Sequence, residues 1–306
     1  MSEQLLILDN ITKYYGNFKA VDNLSFNLIK GQILGFLGLN GSGKTTTIKL
    51  MAGLLYNYTG SLYYKGEKVK NIGNKPETTF IFDSQNFYEN LTAYENLLIA
   101  SCLNKKYTKN QIKEVLEEIG LKDWINKPVK IFSRGMKQRL ALSIALLLNP
   151  EFLILDEPTN GLDIDGIYFC EKFFQKLVNQ GCTILLSSHY LEEVERLADH
   201  IVIIHKGIKK FDGDKQSLSS LKTMGVKYTF SNQLNKDALE KLNTFLIQNN
   251  IKTLDINIQE YSILLTFEKD SINYVEIINK YMKDNFSGLL FIEPIQKHLK
   301  ELFFIK

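Results

Sequence analysis

One glycine-rich segment restricts the possible folds of this chain more than any other feature. Residues 38–45 have the sequence GLNGSGKT, which fits the phosphate-binding pattern G-x4-G-K-[ST]. The apolar run Ile33–Leu37 precedes it, and helical spacing continues through Lys44–Leu54. A strand, a glycine-rich loop and a helix in this order place backbone N–H groups around a phosphate. The order predicts an α/β fold with a phosphate site; a glycine-rich turn with an unrelated lysine is the alternative.

The chemistry of such a loop assigns roles to its residues. Lys44 is placed to reach the β- and γ-phosphates of a nucleotide, and the Thr45 hydroxyl to ligate Mg2+. The residues predicted to bind the nucleotide here are Gly38, Leu39, Asn40, Gly41, Ser42, Gly43, Lys44, Thr45 and Thr46. Kinases, GTPases and recombinases also contain a P-loop, so further motifs are needed to identify the reaction.

A second apolar run, FLIL at 152–155, ends in two acidic residues. At a strand end near a P-loop, Asp156 is a predicted Mg2+ ligand. Glu157 is a predicted general base that polarises the attacking water. Acidic residues that only end a strand are the alternative, but they leave the pairing with a P-loop unexplained.

The spacing of apolar segments predicts the organisation of the chain. Short runs such as Phe152–Leu155 and Thr183–Leu186 have the length of buried parallel strands. Residues 1–215 are predicted to form the P-loop domain, with a helical subdomain at about 86–150 inserted between two strands. A polar segment at 216–225 is a predicted linker. Residues 226–306 show the order β-α-β-β-α-β followed by a terminal helix, which predicts a small α+β domain of ferredoxin-like type.

Composition excludes several classes of protein. The 37 basic and 34 acidic side chains give a net charge of only +3, so no nucleic-acid partner is expected. The three cysteines, Cys102, Cys170 and Cys182, form no CxxC pair, which argues against a zinc site or a disulfide framework and for a reducing cytoplasm. No apolar run approaches the ~20 residues that span a bilayer. Any membrane pathway is therefore expected in another chain.

The segment FSRGMKQR at 132–139 is a further motif, and it distinguishes between the classes of P-loop protein. The chain resembles the nucleotide-binding subunits of ABC transporters, whose Leu-Ser-Gly-Gly-Gln signature has its serine at Ser133 and its second glycine at Gly135. Phe132, Arg134 and Met136 depart from that consensus. The resemblance implies a head-to-tail homodimer with two ATP molecules, each held between one P-loop and the partner's signature. Taken alone, Ser133 also fits an N-cap serine.

The remaining family markers follow in order along the chain. Residues 160–163, NGLD, resemble the D-loop, and His189 resembles the switch histidine that contacts the γ-phosphate. Tyr15 resembles the aromatic residue that stacks on adenine, although an ordinary edge-strand tyrosine is the alternative. Asp83 stands where the family has the glutamine that contacts Mg2+ and water, so it is a predicted metal ligand. Gln85 is the alternative for that position.

These resemblances imply an ATPase with ATP and Mg2+ as cofactors. Its implied partners are a second copy of the chain and a separate membrane permease, which would hold it at the inner face of the membrane. The acidic Asp83, the signature sequence and the C-terminal domain are similar to the branch that exports peptide antibiotics such as bacitracin and lantibiotics. A non-transport ABC ATPase acting on nucleic acid or ribosomes is the alternative function. The chain has one P-loop and no sustained heptads, and both features favour transport.

Overall fold

The computed structural model describes residues 3–75, 77–83, 87–101, 107–220, 224–234, 236–251, 253, 255–267 and 273–296. Gln85, Cys102 and the predicted C-terminal helix beyond residue 296 lie outside these residues. The chain divides into two compact units, Met1–Lys215 and Gln216–Lys306.

Strands and helices alternate along the first unit. Its elements are β1 (Gln4–Tyr15), β2 (Phe18–Ile29), β3 (Ile33–Leu37), α1 (Lys44–Met51), β4 (Tyr58–Tyr64), β5 (Glu67–Val69), β6 (Thr78–Ile81), α2 (Ala93–Ser101), α3 (Lys109–Glu118), α4 (Arg134–Leu148), β7 (Phe152–Asp156), α5 (Ile164–Asn179), β8 (Thr183–Ser188), α6 (Leu191–Leu197), β9 (His200–His205) and β10 (Ile208–Asp214). Two short 3-10 helices lie at 122–124 and 129–131.

The central sheet of this unit has six strands in the order β10-β9-β3-β8-β7-β6. The contacts from β9 through β6 are parallel, and only β10 pairs antiparallel. Every residue of β3, β7 and β8 is buried, as expected for strands covered on both faces. The carboxyl ends of β3, β8 and β7 therefore lie side by side at one edge. A second, antiparallel sheet has the order β2-β1-β4-β5.

The predicted helical insertion lies between β6 and β7, which are neighbours in the sheet. A capping box of Thr108 and Gln111 begins α3. Nη1 of Arg139 on α4 donates to the carbonyl of Ile119, 3.1 Å away, and so joins the end of α3 to α4. The prediction of an α/β P-loop fold is confirmed, and the helices α2, α3 and α4 lie in the segment predicted as a helical insertion.

The second unit combines one antiparallel sheet with two long helices. Its elements are β11 (Met224–Phe230), α8 (Lys236–Gln248), β12 (Asp255–Gln259), β13 (Ser262–Phe267), α9 (Asn273–Asn285) and β14 (Leu289–Gln296), in the sheet order β12-β13-β11-β14. Its core includes Val226, Ile263 and Met282, and the hydroxyl of Tyr228 donates to Oδ1 of Asn279, 2.7 Å away. A six-residue helix, α7 (Lys215–Ser220), begins one residue before the segment predicted as a linker and overlaps it.

Candidate nucleotide-binding site

Three loops meet at the carboxyl edge of the central sheet. The P-loop follows β3, Glu157 follows β7, and His189 follows β8. Because β8 lies between β3 and β7, the sheet itself places the three loops next to one another. This edge is where open α/β sheets bind their ligands.

The P-loop passes directly into α1, whose first residue is Lys44. Gly43 has φ of 108°, a conformation that glycine adopts without strain, and a Cβ there would lie 2.7 Å from the carbonyl oxygen of Ala20. Gly43 provides no side-chain cap. The N–H groups of the first turn therefore have no partner within the helix and can bind an anion.

Lys44 is almost fully buried, with 4% of its surface exposed. Its Nζ donates to the carbonyl oxygen of Gly38 at 2.5 Å and lies 3.0 Å from Oε1 of Glu157. A buried ammonium needs such partners because desolvation of a charge is costly. Lys44 is thus held at the junction of the P-loop and the general-base candidate.

The predicted magnesium ligands Thr45 and Asp156 contact each other. Oγ1 of Thr45 donates to Oδ2 of Asp156 at 2.9 Å, and Oγ of Ser187 donates to Oδ1 at 2.6 Å. Asp156 is 4% exposed, so both carboxylate oxygens have fixed positions. Sequence reasoning did not identify Ser187, because a serine at the end of a buried strand gives no signal until the pairing of β7 with β8 is known.

Glu157 lies in the left-handed region of backbone conformation, with φ of 53°. Its N–H contacts both Oγ and the carbonyl oxygen of Ser187, at 3.1 and 3.2 Å. Its carboxylate lies between Lys44 and His189. Oε1 is 3.0 Å from Nζ of Lys44, and Oε2 is 2.6 Å from Nδ1 of His189. A strained backbone held in place by β8 therefore aims this carboxylate at the P-loop.

A cleft of about 420 Å3 lies beside the P-loop and Glu157, and His189 is not among the residues that line it. It is lined by Tyr15, Phe18, Ala20, Asn40, Gly41, Ser42, Gly43, Lys44, Thr45, Thr46, Asp83, Asp156, Glu157 and Asn160. Tyr15 and Phe18 are 46% and 64% exposed, so two aromatic rings are available at the cleft for stacking on a base. Sequence reasoning identified Tyr15 but missed Phe18, which no motif marks.

Asp83 lines the cleft and also forms an ion pair with the signature motif. Nη2 of Arg134 lies 3.1 Å from Oδ1 of Asp83. The guanidinium also covers Gly161, where a Cβ would lie 2.6 Å from Nη1 of Arg134. Arg134 occupies a position that is glycine in the family consensus, and here it contacts both the residue-83 position and the D-loop.

Ser133 and Gly135 are not among the residues that line the cleft. Ser133 is the N-cap of α4, and its Oγ accepts a hydrogen bond from the N–H of Met136 at 3.2 Å. The N-cap interpretation of this serine is therefore correct for the single chain. Both residues stand at an exposed helix N-terminus, a position at which a phosphate on another chain could be bound.

A buried carboxylate adjoins the site from α6. Glu193 accepts hydrogen bonds from the hydroxyls of Thr159 and Ser188, each at 2.6 Å. Burial raises the pKa of Glu193, the two hydroxyls oppose that shift, and the charge of Glu157 adds to it. Sequence reasoning missed this residue, since one glutamate in a helix rich in glutamate gives no signal.

The donor set fits a magnesium ion that is shared with a nucleotide. Within the described residues, no group of three or more His, Cys, Asp or Glu side chains is placed to hold a metal. Thr45 and Asp156 supply two hard oxygen donors side by side. Mg2+ is commonly held by one or two such protein ligands together with phosphate oxygens and water, so the pair suits that arrangement.

No helix in the described part of the chain has the length and apolar character needed to cross a bilayer.

A P-loop beside strand-end carboxylates defines a nucleotide-binding domain, and comparison with known proteins specifies the family. Residues 21–160 match the family model described as ABC transporter. The bacitracin transport ATP-binding protein BcrA of Bacillus licheniformis is 47% identical over 203 residues, covering 65% of this chain and 66% of that protein. The lantibiotic transport ATP-binding protein SrtF of Streptococcus pyogenes is 36% identical over 220 residues, covering 69% of this chain and 93% of that protein.

A solved ATP-binding subunit of an ABC transporter has the same fold as the first unit. Its TM-score is 0.63 at 30% identity, and the match covers 70% of this chain and 91% of that one. The chain belongs to the ATP-binding proteins of ABC transporters and is an ATPase subunit. The resemblance to bacitracin and lantibiotic transport proteins predicted from the sequence is confirmed.

Proposed function

We propose that this ATPase subunit powers a separate membrane permease that exports peptide antibiotics or similar compounds. The position of Glu157 is the observation that supports ATP hydrolysis at this site. Glu157 lies between Lys44 and His189, beside the Thr45–Asp156 pair. The similarity to proteins of bacitracin and lantibiotic transport supports the class of cargo.

Hydrolysis in this proposal begins when a nucleotide enters the cleft. Its phosphates accept hydrogen bonds from the N–H groups of the P-loop and from the Lys44 ammonium. The ammonium then contacts phosphate oxygen in place of the Glu157 carboxylate. Glu157 is then free to accept a hydrogen bond from the attacking water as general base. His189 and Lys44 stabilise the charge on the transferring phosphoryl group, and Tyr15 stacks on the adenine.

Thr45 and Asp156 would hold Mg2+ in this cleft, with Asp83 near enough to the same space to contribute an oxygen or a water-mediated contact. The ion supplies neutralisation of the phosphate charge when bound. Asp83 has Arg134 as its partner in the single chain, so it must release that guanidinium to make such a contact.

Two copies of the chain would complete two sites in a head-to-tail dimer. Ser133 and Gly135 stand at the exposed N-terminus of α4, away from the cleft of their own chain, which is the position needed to bind the γ-phosphate on the partner. The helical subdomain, with Asp83 at its border, would receive a cytoplasmic segment of the permease. The subunit would thereby sit on the inner face of the membrane.

The second unit supports a ferredoxin-like assignment for residues 226–306. Numbered within the unit, its strands are ordered 2-3-1-4 and all pair antiparallel, with a helix in each β-α-β connection. This is the arrangement of a split β-α-β domain. The first unit, residues 1–215, contains every residue assigned to phosphate, base or metal, so we assign the second unit an accessory role.

The proposal is tested by placing the chain together with its permease in lipid vesicles and measuring ATP turnover. Bacitracin and a lantibiotic should each be compared with an unrelated linear peptide of similar size. Export of peptide antibiotics is supported if an antibiotic stimulates ATP turnover and the control peptide does not. The Glu157→Gln variant should show no such stimulation. Equal turnover with and without every antibiotic contradicts the proposed cargo and leaves the ATPase assignment intact.

A further inference from the structure

Glu193 is a buried carboxylate to which the proposed mechanism gives no role. It is 4% exposed and lies on the buried face of α6 together with Leu191, Val194 and Leu197. A carboxylate in such surroundings is destabilising unless its oxygens are hydrogen-bonded. The groups that contact its two oxygens therefore define what it does.

Each oxygen of Glu193 accepts a hydrogen bond from a different segment, one from the loop after β7 and one from the carboxyl end of β8. Oγ1 of Thr159 donates to Oε1, and Oγ of Ser188 donates to Oε2, both at 2.6 Å. Thr159 and Ser188 are 5% and 1% exposed, so water has little access to either contact. Ser188 Oγ also accepts from the N–H of Tyr190 at 3.0 Å. One side chain thus joins the segment after β7 to the last residue of β8.

These two segments adjoin Glu157, which lines the cleft, and His189, which contacts Glu157. Thr159 is two residues beyond Glu157, and Ser188 immediately precedes His189. The side chains of Glu157 and His189 meet at 2.6 Å. The direct contact and the bridge through Glu193 therefore close a ring, and a shift of either segment would change the distance between Glu157 and His189.

We propose that Glu193 is a positioning residue for hydrolysis, whose carboxylate holds Thr159 and Ser188 together and so fixes Glu157 relative to His189. Glu193 is not among the residues that line the cleft, and the P-loop follows a different strand. Its removal should therefore affect kcat more than ATP binding. The inference rests on the roles proposed for Glu157 and His189.

The experiment compares kcat, KM for ATP and thermal unfolding of the full chain and its variants. Glu193→Ala should lower kcat about tenfold or more, as small misplacements of reacting groups do, with KM nearly unchanged. Glu193→Gln keeps the shape and can still bridge two hydroxyls, so it should retain more of kcat than the alanine variant. Glu192→Ala, at an exposed neighbour on the same helix, is the matched control and should behave as wild type.

A double-mutant cycle with His189→Ala separates positioning from general stabilisation. If Glu193 acts by holding His189, Glu193→Ala should lower kcat much less in the His189→Ala background than in the wild type. A lower unfolding temperature with an unchanged kcat of the folded protein would show a structural role only and overturn the inference. If Glu193→Ala does not fold, Thr159→Val removes one arm of the bridge at similar volume and is judged by the same results.

Failure of this inference can be told apart from failure of the proposed function. Glu157→Gln is measured in parallel. If Glu157→Gln is inactive and Glu193→Ala retains the wild-type kcat, only the positioning role is wrong. If Glu157→Gln retains the wild-type kcat, the proposed mechanism itself is wrong.

Discussion

Nδ1 of His189 lies 2.6 Å from Oε2 of Glu157, at the ends of two neighbouring parallel strands. An ionised carboxylate only accepts hydrogen bonds, so this contact needs the imidazole proton on Nδ1 and turns Nε2 away from Glu157. The pairing orients the ring by a carboxylate, as in other sites where a histidine acts on a reacting group. It ties the position of His189 to that of Glu157.

The adenine contact is tested by two neighbouring tyrosines. Tyr15 lines the cleft, whereas Tyr14 is similarly exposed but is not among the lining residues. Stacking of a base on an aromatic ring contributes about 1–3 kcal/mol, so Tyr15→Ala should raise KM for ATP at least about fivefold with little change in kcat. Tyr14→Ala should leave both constants unchanged. An unaltered KM in Tyr15→Ala, with a raised KM in Phe18→Ala, would assign the stacking role to Phe18.

The role of residue 83 is tested by breaking its ion pair from either side. Asp83→Ala should leave KM for ATP nearly unchanged, because in the proposed mechanism Lys44 and the P-loop amides hold the phosphates, but it should weaken stimulation of turnover by the permease. Arg134→Ala removes the same ion pair and keeps the carboxylate. Exposed ion pairs contribute only about 0–1 kcal/mol, so the arginine variant should stay stable and keep its stimulation. If Gln85→Ala loses stimulation and Asp83→Ala does not, the assignment of residue 83 is wrong.

The two buried thiols should be unreactive in the folded chain. Burial raises the pKa of Cys170 and of Cys182 to about 12, from an ordinary value near 9.0. At pH 8, iodoacetamide should therefore modify neither thiol in the native protein and both after denaturation, as read by mass spectrometry. Modification of native Cys170 or Cys182 at the rate of the denatured protein would contradict their burial.

The raised pKa of the two thiols also makes the stability of the folded chain fall at high pH. Above pH 9 the unfolded thiols ionise while the folded ones remain protonated up to about pH 12. The free energy of unfolding contributed by these thiols is therefore fully present below pH 9 and falls as pH rises from 9 to 12. Comparing a Cys170→Ala, Cys182→Ala double variant with wild type by denaturant unfolding across this range checks the slope, which should be shallower in the variant.

The sequence predicted the α/β unit well because its signals are local. The glycines and Lys44 of the P-loop, the all-apolar strand before Asp156 and the helical spacing at about 86–150 each require only neighbouring residues to be recognised. In a parallel sheet the carboxyl ends of the strands lie at one edge, so the loops that follow β3, β7 and β8 are neighbours. The confirmed family resemblance rests on the order of these motifs.

Contacts between distant segments could not be predicted in the same way. The bridge from Glu193 to Thr159 and Ser188, and the pairing of Arg134 with Asp83, join residues whose spacing in sequence carries no pattern. The left-handed backbone of Glu157 also has no sequence signal, since glutamate rarely adopts it without tertiary support. These features depend on which strands are neighbours, so they appear only in three dimensions.

The measurement that bears most directly on the proposed mechanism is the turnover and assembly of Glu157→Gln with MgATP. Glutamine keeps the shape beside Lys44 and His189 but cannot take a proton from water, so hydrolysis should fall about 10²–10⁴-fold while ATP still binds. The variant should then accumulate as an ATP-bound dimer, seen as a doubled mass in light scattering only when MgATP is present. Hydrolysis within a few-fold of wild type would contradict the role of Glu157. A monomer under both conditions despite bound ATP would contradict the paired sites.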